Sequence, residues 1–141
     1  MKSIMISIRP RWCEEIKLGN KVVEVRKNKP KNSDEPFKCY IYETQGNKRT
    51  KKDINGAGKV IGEFICTSVE KYTYGEDNVH LLNETKLVSL SCVPAEELYE
   101  YLKGSEAYAW NITDLKLYSK SKSITRYNLA VPPQSWCYIP E

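Results

Sequence analysis

The hydrophobic period changes twice within residues 1 to 27, and nothing else in the chain constrains its fold as tightly. Ser3 to Ile8 alternates Ile4, Ile6 and Ile8 with Ser3, Met5 and Ser7, the two-residue period of a strand with one well-buried face. Pro10 then stands where a first helical turn tolerates proline, Trp12, Cys13 and Ile16 share one side, and Gly19 follows as a C-terminal cap. Lys21 to Lys27 (KVVEVRK) returns to strand chemistry, with Val23 and Val25 on one face and Val22, Glu24 and Arg26 on the other. The chain therefore opens strand, helix, strand.

Further strands are expected at Phe37 to Tyr42 (FKCYIY), with Tyr40 and Tyr42 opposite Cys39 and Ile41, and at Lys59 to Val69, where Gly62 marks a bulge or a close backbone approach. Residues 44 to 58 are nearly devoid of apolar side chains and read as a mobile loop between two paired strands. Between residues 72 and 90, His80 to Leu82 and Leu87 to Leu90 read as short turns or strands. Pro94 to Lys103, ended by Gly104, reads as a helix with Leu98, Tyr101 and Leu102 inward. Ala107 to Tyr118 alternates again, Ser119 to Ser123 reads as a solvated loop, and Gln134 to Ile139 adds a last strand. Seven or so short strands, two helices and no βαβ repeat predict an α+β chain, mainly β: a compact barrel with flanking short helices. At 141 residues it is expected to be one domain spanning 1–141.

Charge is unevenly placed. Residues 1 to 60 carry 15 basic and 7 acidic side chains, while residues 61 to 141 carry 7 and 11, so a polyanion-binding surface is expected from the first half. No apolar run approaches the ~20 residues that cross a bilayer, and no signal-peptide core follows the N-terminus, so no membrane role and a cytoplasmic location are expected. Five cysteines, odd in number and without a CxxC, read as buried thiols rather than a disulfide framework or zinc knuckle. His80 is the single histidine, which argues against a His-rich metal site or a Ser/His/Asp triad. No metal or cofactor is expected, and any catalysis must run on Lys, Glu, Ser, Thr, Tyr or Cys.

The densest chemistry lies at Gly19 to Arg26 (GNKVVEVR), where Lys21, Glu24 and Arg26 fall within six positions. Two cations bracketing a carboxylate suit a cleft that holds phosphate by the cations and a base edge or hydroxyl by the carboxylate. The same residues also suit an ion-pair ladder on a sheet face. Arg9, Arg11, Lys27, Lys29, Lys31, Lys48, Arg49, Lys51 and Lys52 are candidates for a phosphate-tracking rim. Trp12, Tyr40, Tyr42, Trp110 and Trp136 offer stacking faces for an unpaired base, though a small fold also needs such side chains as core filler.

Strand, helix, then G-x-K-x-x-E-x-R resembles the ASCH domain, the activating-signal-cointegrator homology domain of the PUA-like superfamily, in its small prokaryotic and phage form. The opening residues carry the resemblance closely, and Pro133-Gln134-Ser135-Trp136 adds to it. It implies a β-barrel of about six strands with flanking helices and a cleft beside the lysine-bearing strand. RNA, single-stranded nucleic acid or a modified nucleoside is the implied partner, with Ser7 and Ser135 as added hydrogen-bonding candidates. Some members are similar to amidohydrolases acting on N4-acetylcytidine with a Lys and a Thr three residues later, and others are described as ribonucleases. Lys21 matches the Lys, but Glu24 stands at the Thr position, which removes that nucleophile. If the chain is a hydrolase, Lys21 stabilises charge and Glu24 is the general base. A phage or mobile-element protein that docks on a host protein is the remaining alternative.

Overall fold

The computed structural model describes residues 1–46 and 55–140. Its elements, in chain order, are β1 (Ser3–Ile8), α1 (Pro10–Lys17), β2 (Val23–Arg26), β3 (Phe37–Glu43), β4 (Lys59–Cys66), β5 (Val69–Tyr72), α2 (Glu84–Ser91), α3 (Ala95–Leu102), β6 (Ala107–Asn111), β7 (Thr113–Lys122), a 3-10 turn (Ile124–Tyr127) and β8 (Trp136–Tyr138). The fold is α+β and mainly β, as expected. The strands form a five-stranded sheet ordered β7-β4-β3-β1-β8 and a three-stranded sheet ordered β2-β6-β5, in place of one six-stranded barrel.

The reason for two sheets lies at the corners. β4 leads into β5 through Thr67 and Ser68, and β6 leads into β7 through Ile112, so two tight corners join the sheets in addition to the longer crossings into and out of β2. Asn111 ties these corners together: its side-chain oxygen accepts from the backbone N–H groups of Thr67 and Ser68 at 2.8 and 3.0 Å, and its amide donates to the Thr67 hydroxyl at 2.6 Å. Two stretches that read as single long strands, Lys59 to Val69 and Ala107 to Tyr118, are therefore each split. Asp114, with φ of 48°, supplies the irregular step that starts β7 against β4.

β1 is an interior strand, parallel to β3 and antiparallel to the edge strand β8. Ile4, Ile6 and Ile8 pack with Cys39, Ile41 and Phe64 in the core between the sheets. Met5, on the opposite face, is also fully buried, because residues 124–139 wrap over it with Tyr127, Leu129 and Ile139. The expected one-sided strand is thus buried on both faces. A third cluster, around Val23, Val25, Leu87, Leu98 and Leu102, seats α2 and α3 on the outer face of the small sheet.

Three further expectations change. Residues 84–91 form a helix where turns or strands were expected, β2 begins at Val23 rather than Lys21, and β7 runs on to Lys122 through the serine-lysine stretch read as a loop. The tip between β3 and β4 lies largely outside the described residues, as do Lys48, Arg49, Lys51 and Lys52. The strands flanking it pair antiparallel, as expected.

Gly62 meets its expectation. The β4 register shifts beside it, and a Cβ there would lie 2.5 Å from the Lys116 carbonyl oxygen and 3.3 Å from the Leu117 Cα. Those are backbone atoms and cannot turn aside. Gly62→Ala is therefore expected to force β4 and β7 apart and cost about 1–3 kcal/mol. A urea midpoint equal to that of the parent protein would show the approach to be looser than the geometry gives.

Candidate functional site

The short α1 ends at Gly19, whose φ of 80° turns the chain, and Asn20 and Lys21 then tie their backbone N–H groups to the Glu15 carbonyl. This turn delivers Lys21 inward before β2 begins. Within β2, the valines face the α2–α3 layer, so strand alternation sends Glu24 and Arg26 the other way, into the space between the sheets. Three charged residues are consequently buried together: Lys21 is 2% exposed, Glu24 6% and Arg26 8%.

The Glu24 carboxylate lies between the cations, with Oε2 3.8 Å from Lys21 Nζ and Oε1 3.7 Å from Arg26 Nη2. Both separations exceed a hydrogen bond, so the carboxylate closes onto neither cation. Each cation instead finds firmer partners elsewhere. Lys21 Nζ donates to the Ser91 carbonyl at 2.8 Å, at the C-terminal end of α2, where the helix dipole favours a cation. Arg26 donates through Nη2 to the Ser7 carbonyl at 2.8 Å and through Nη1 to the Ser135 hydroxyl at 3.0 Å. Glu24 Oε2 and Arg26 Nε are buried with no hydrogen-bond partner, although such groups are normally satisfied.

Burial drives the Lys21 ammonium below its ordinary pKa; Glu24 opposes that shift and Arg26 adds to it. The unfolded chain holds this proton up to about 10.5, whereas the folded chain releases it sooner. Between those two pH values the unfolded state binds more protons, so Lys21 penalises folding fully below the window and less as pH rises through it. The stability of the parent protein minus that of Lys21→Met is expected to rise with pH toward 10.5. Cys39, whose thiol burial pushes upward, titrates in both proteins and cancels from the difference, whereas Cys13 and Cys92 interact with Lys21 and are replaced by alanine in both proteins compared. A difference that stays flat with pH would mean that Lys21 titrates as an exposed lysine.

The other expected site residues divide into two groups. Trp12 is half-buried with its ring 5.4 Å from Lys21 Nζ, and Arg11 lies 4.0 Å over the same ring while pairing with Glu97 at 2.7 Å. Ser7 and Ser135 also join the cluster: Ser7 N–H donates to the Ser135 carbonyl at 2.9 Å and the Ser7 hydroxyl to the Pro133 carbonyl at 2.6 Å. Arg9 and Lys29 are exposed on the segments that leave β1 and β2. Trp110 is opposite Glu24 in the strand pairing, but its ring is fully buried against Phe37 and Trp136 and so offers no face to a base. Tyr40 lies on the far side of the large sheet, 4.7 Å from Tyr127.

Two residues at the cluster escaped the sequence reading. Tyr101, assigned inward on its helix, is 40% exposed, and Glu24, Arg26 and the Lys27 backbone all act on its hydroxyl, whose pKa desolvation raises. Its place three residues after the buried Leu98 is the only signal, and that signal pointed to the core. Asn28 holds two indoles, accepting from Trp110 through its carbonyl at 3.2 Å and from Trp136 through its side chain at 2.8 Å. Nothing in its sequence context marks it. Among the described residues, no group of His, Cys, Asp and Glu is arranged to hold a metal ion, and no helix is long and apolar enough to cross a membrane.

The chain matches no family model and no curated protein. Solved structures do match. A crystal structure of ASCH from Zymomonas mobilis superposes at a TM-score of 0.66 with 19% identity, covering 99% of this chain and 89% of that one. A serine-to-alanine variant of the same protein gives 0.69 with the same identity and coverage. A tyrosine-to-phenylalanine variant gives 0.65, also at 19% identity, covering 100% of this chain and 92% of that one. With TM-scores of 0.65 to 0.69 over nearly the whole of both chains, the protein has the ASCH fold.

Proposed function

We propose that the chain binds a nucleoside, or a nucleotide unit of RNA, at the Lys21–Glu24–Arg26 cluster. The observation that carries this reading is the pair of buried, unpartnered atoms, Glu24 Oε2 and Arg26 Nε. One accepts and the other donates, the complement of a base or amide edge that presents an N–H beside an acceptor. Trp12, half-buried beside the cluster, supplies an aromatic surface. Lys21 lies deepest, with its side chain wholly covered, so a ligand that touches it must displace Trp12 or the turn after Ser91.

Hydrolysis is the second reading, favoured by the lowered pKa of Lys21 beside a carboxylate. Glu24 would take a proton from water and Lys21 would stabilise the oxyanion or phosphorane that forms. The test titrates nucleosides, their N4-acylated forms and short RNAs against tryptophan fluorescence while product release is followed by chromatography. A saturable response that Glu24→Gln weakens by about tenfold or more supports binding. Turnover that needs both Lys21 and Glu24 supports the hydrolase, and absence of any response in the parent protein retires both readings.

A further inference from the structure

The acidic second half of the chain hides a basic edge. Residues 115–140 contain no Asp or Glu, yet Lys116, Lys120, Lys122 and Arg126, four of the seven cations after residue 60, fall there. The fold sets them on β7 and the turn that follows. β7 is an edge strand of the five-stranded sheet, with no strand of the described residues paired along its outer side.

A surface concavity of ≈ 640 Å³ runs along this edge, bordered by Tyr118, Lys120, Lys122, Ser123 and Arg126, and none of the described residues that line it is a carboxylate. Lys120 and Arg126 are exposed, while Lys122 is half-buried with its ammonium 4.2 Å over the Tyr118 ring. The carboxylate that the Tyr118 hydroxyl reaches, Glu63, is itself engaged by Lys38 at 3.1 Å. The concavity includes none of Lys21, Glu24 and Arg26.

We infer that the β7 edge and the turn after it form a second binding surface, which takes the phosphodiester backbone of single-stranded nucleic acid. Lys120, Lys122 and Arg126 line one concave strip with Ser119, Ser121 and Ser123, the last with its hydroxyl 2.9 Å from that of Thr125. That arrangement suits a chain of evenly spaced monoanions, held by charge and by hydrogen bonds to phosphate oxygens without reading the bases. Tyr118, the aromatic in the strip, already lies against Lys122, so backbone contact rather than base stacking is the expected mode. A cluster that binds one nucleoside and an edge that holds a strand would together select a polymer over a free nucleoside. The edge shares no residue with the cluster and does not depend on what the cluster binds.

The experiment measures fluorescence anisotropy of a labelled oligouridylate of about twelve nucleotides between about 50 and 200 mM salt. Lys120→Gln/Lys122→Gln/Arg126→Gln is expected to weaken binding about tenfold or more and to flatten the log–log salt slope by about 2, or about 0.7 per phosphate contact. Lys120→Gln alone, an exposed change that does not threaten the fold, should flatten the slope by about 0.7. The triple variant keeps its nucleoside response, which separates failure of this surface from failure of the cluster. An unchanged slope in both variants, or no salt-dependent binding by the parent protein, overturns the proposal. So does tighter binding to phosphatidylserine vesicles than to the oligonucleotide, lost in the same variants, which would assign the strip to a lipid surface.

Discussion

Glu24→Ala is expected to cost about 3–5 kcal/mol of folding stability, because it strips the counter-charge from two buried cations. Lys21 can release its proton, but Arg26 cannot, and among the described residues its guanidinium would keep the Ser7 carbonyl and Ser135 as hydrogen-bond partners but no counter-charge beside it. The measurement is the urea midpoint at constant m-value. A loss below about 1 kcal/mol would show that water screens the cluster as it screens a surface pair.

The double variant Lys21→Met/Glu24→Gln makes the result informative about purpose. It removes one charge of each sign and leaves Arg26 an amide oxygen to meet, so much of the lost stability should return. The nucleoside response should not return with it. If stability and binding separate in this way, the cluster is retained for its chemistry rather than for the fold.

Trp110→Ala is the second large effect, expected at about 3–5 kcal/mol, with a fall in melting temperature of about 10 °C or more. The ring is fully buried, meets Phe37 and Trp136 edge-on at 5.5 Å each, and anchors its N–H on the Asn28 carbonyl. Removing it opens a void directly across the strand pairing from Glu24, so the nucleoside response should weaken as well. Trp110→Phe keeps most of the volume and should lose much less. Equal losses for the two variants would place the stabilisation in the indole hydrogen bond rather than in packing.

The parts of the fold legible in the sequence were those with a strong local period. Alternating isoleucines, a proline-started helix and a glycine turn specify β1, α1 and β2 with little help from the rest of the chain. β7 was cut short for the opposite reason: an edge strand exposed along much of its length can alternate serine and lysine and still pair, leaving no apolar signal. The α2 segment, ETKLVSLS, has only Leu87 and Ser91 buried, too little to establish a helical period against the strand-like run Leu87 to Leu90. The nearness of Glu24 and Arg26 was legible from their alternation on β2, whereas Lys21 lies before that strand and is brought to them by the turn at Gly19. Trp110 and Tyr40 were not separable from base platforms, since an aromatic on a strand carries no mark of which face the second sheet will cover.

The pairing of β1 with β8 sets an order on when the fold is completed. During synthesis β1, with β3 along one edge, has its other edge open until residues 136–138 arrive to cover it. Arg26 is likewise positioned from afar, by Ser7 upstream and Ser135 downstream. A nascent chain halted on the ribosome anywhere before residue 135 would thus carry Lys21 and Glu24 without a fixed Arg26, and an isoleucine-rich strand edge free to pair with a neighbour. The anchorage of Arg26 is completed late, and until then the β1 edge stays open to pairing with another chain.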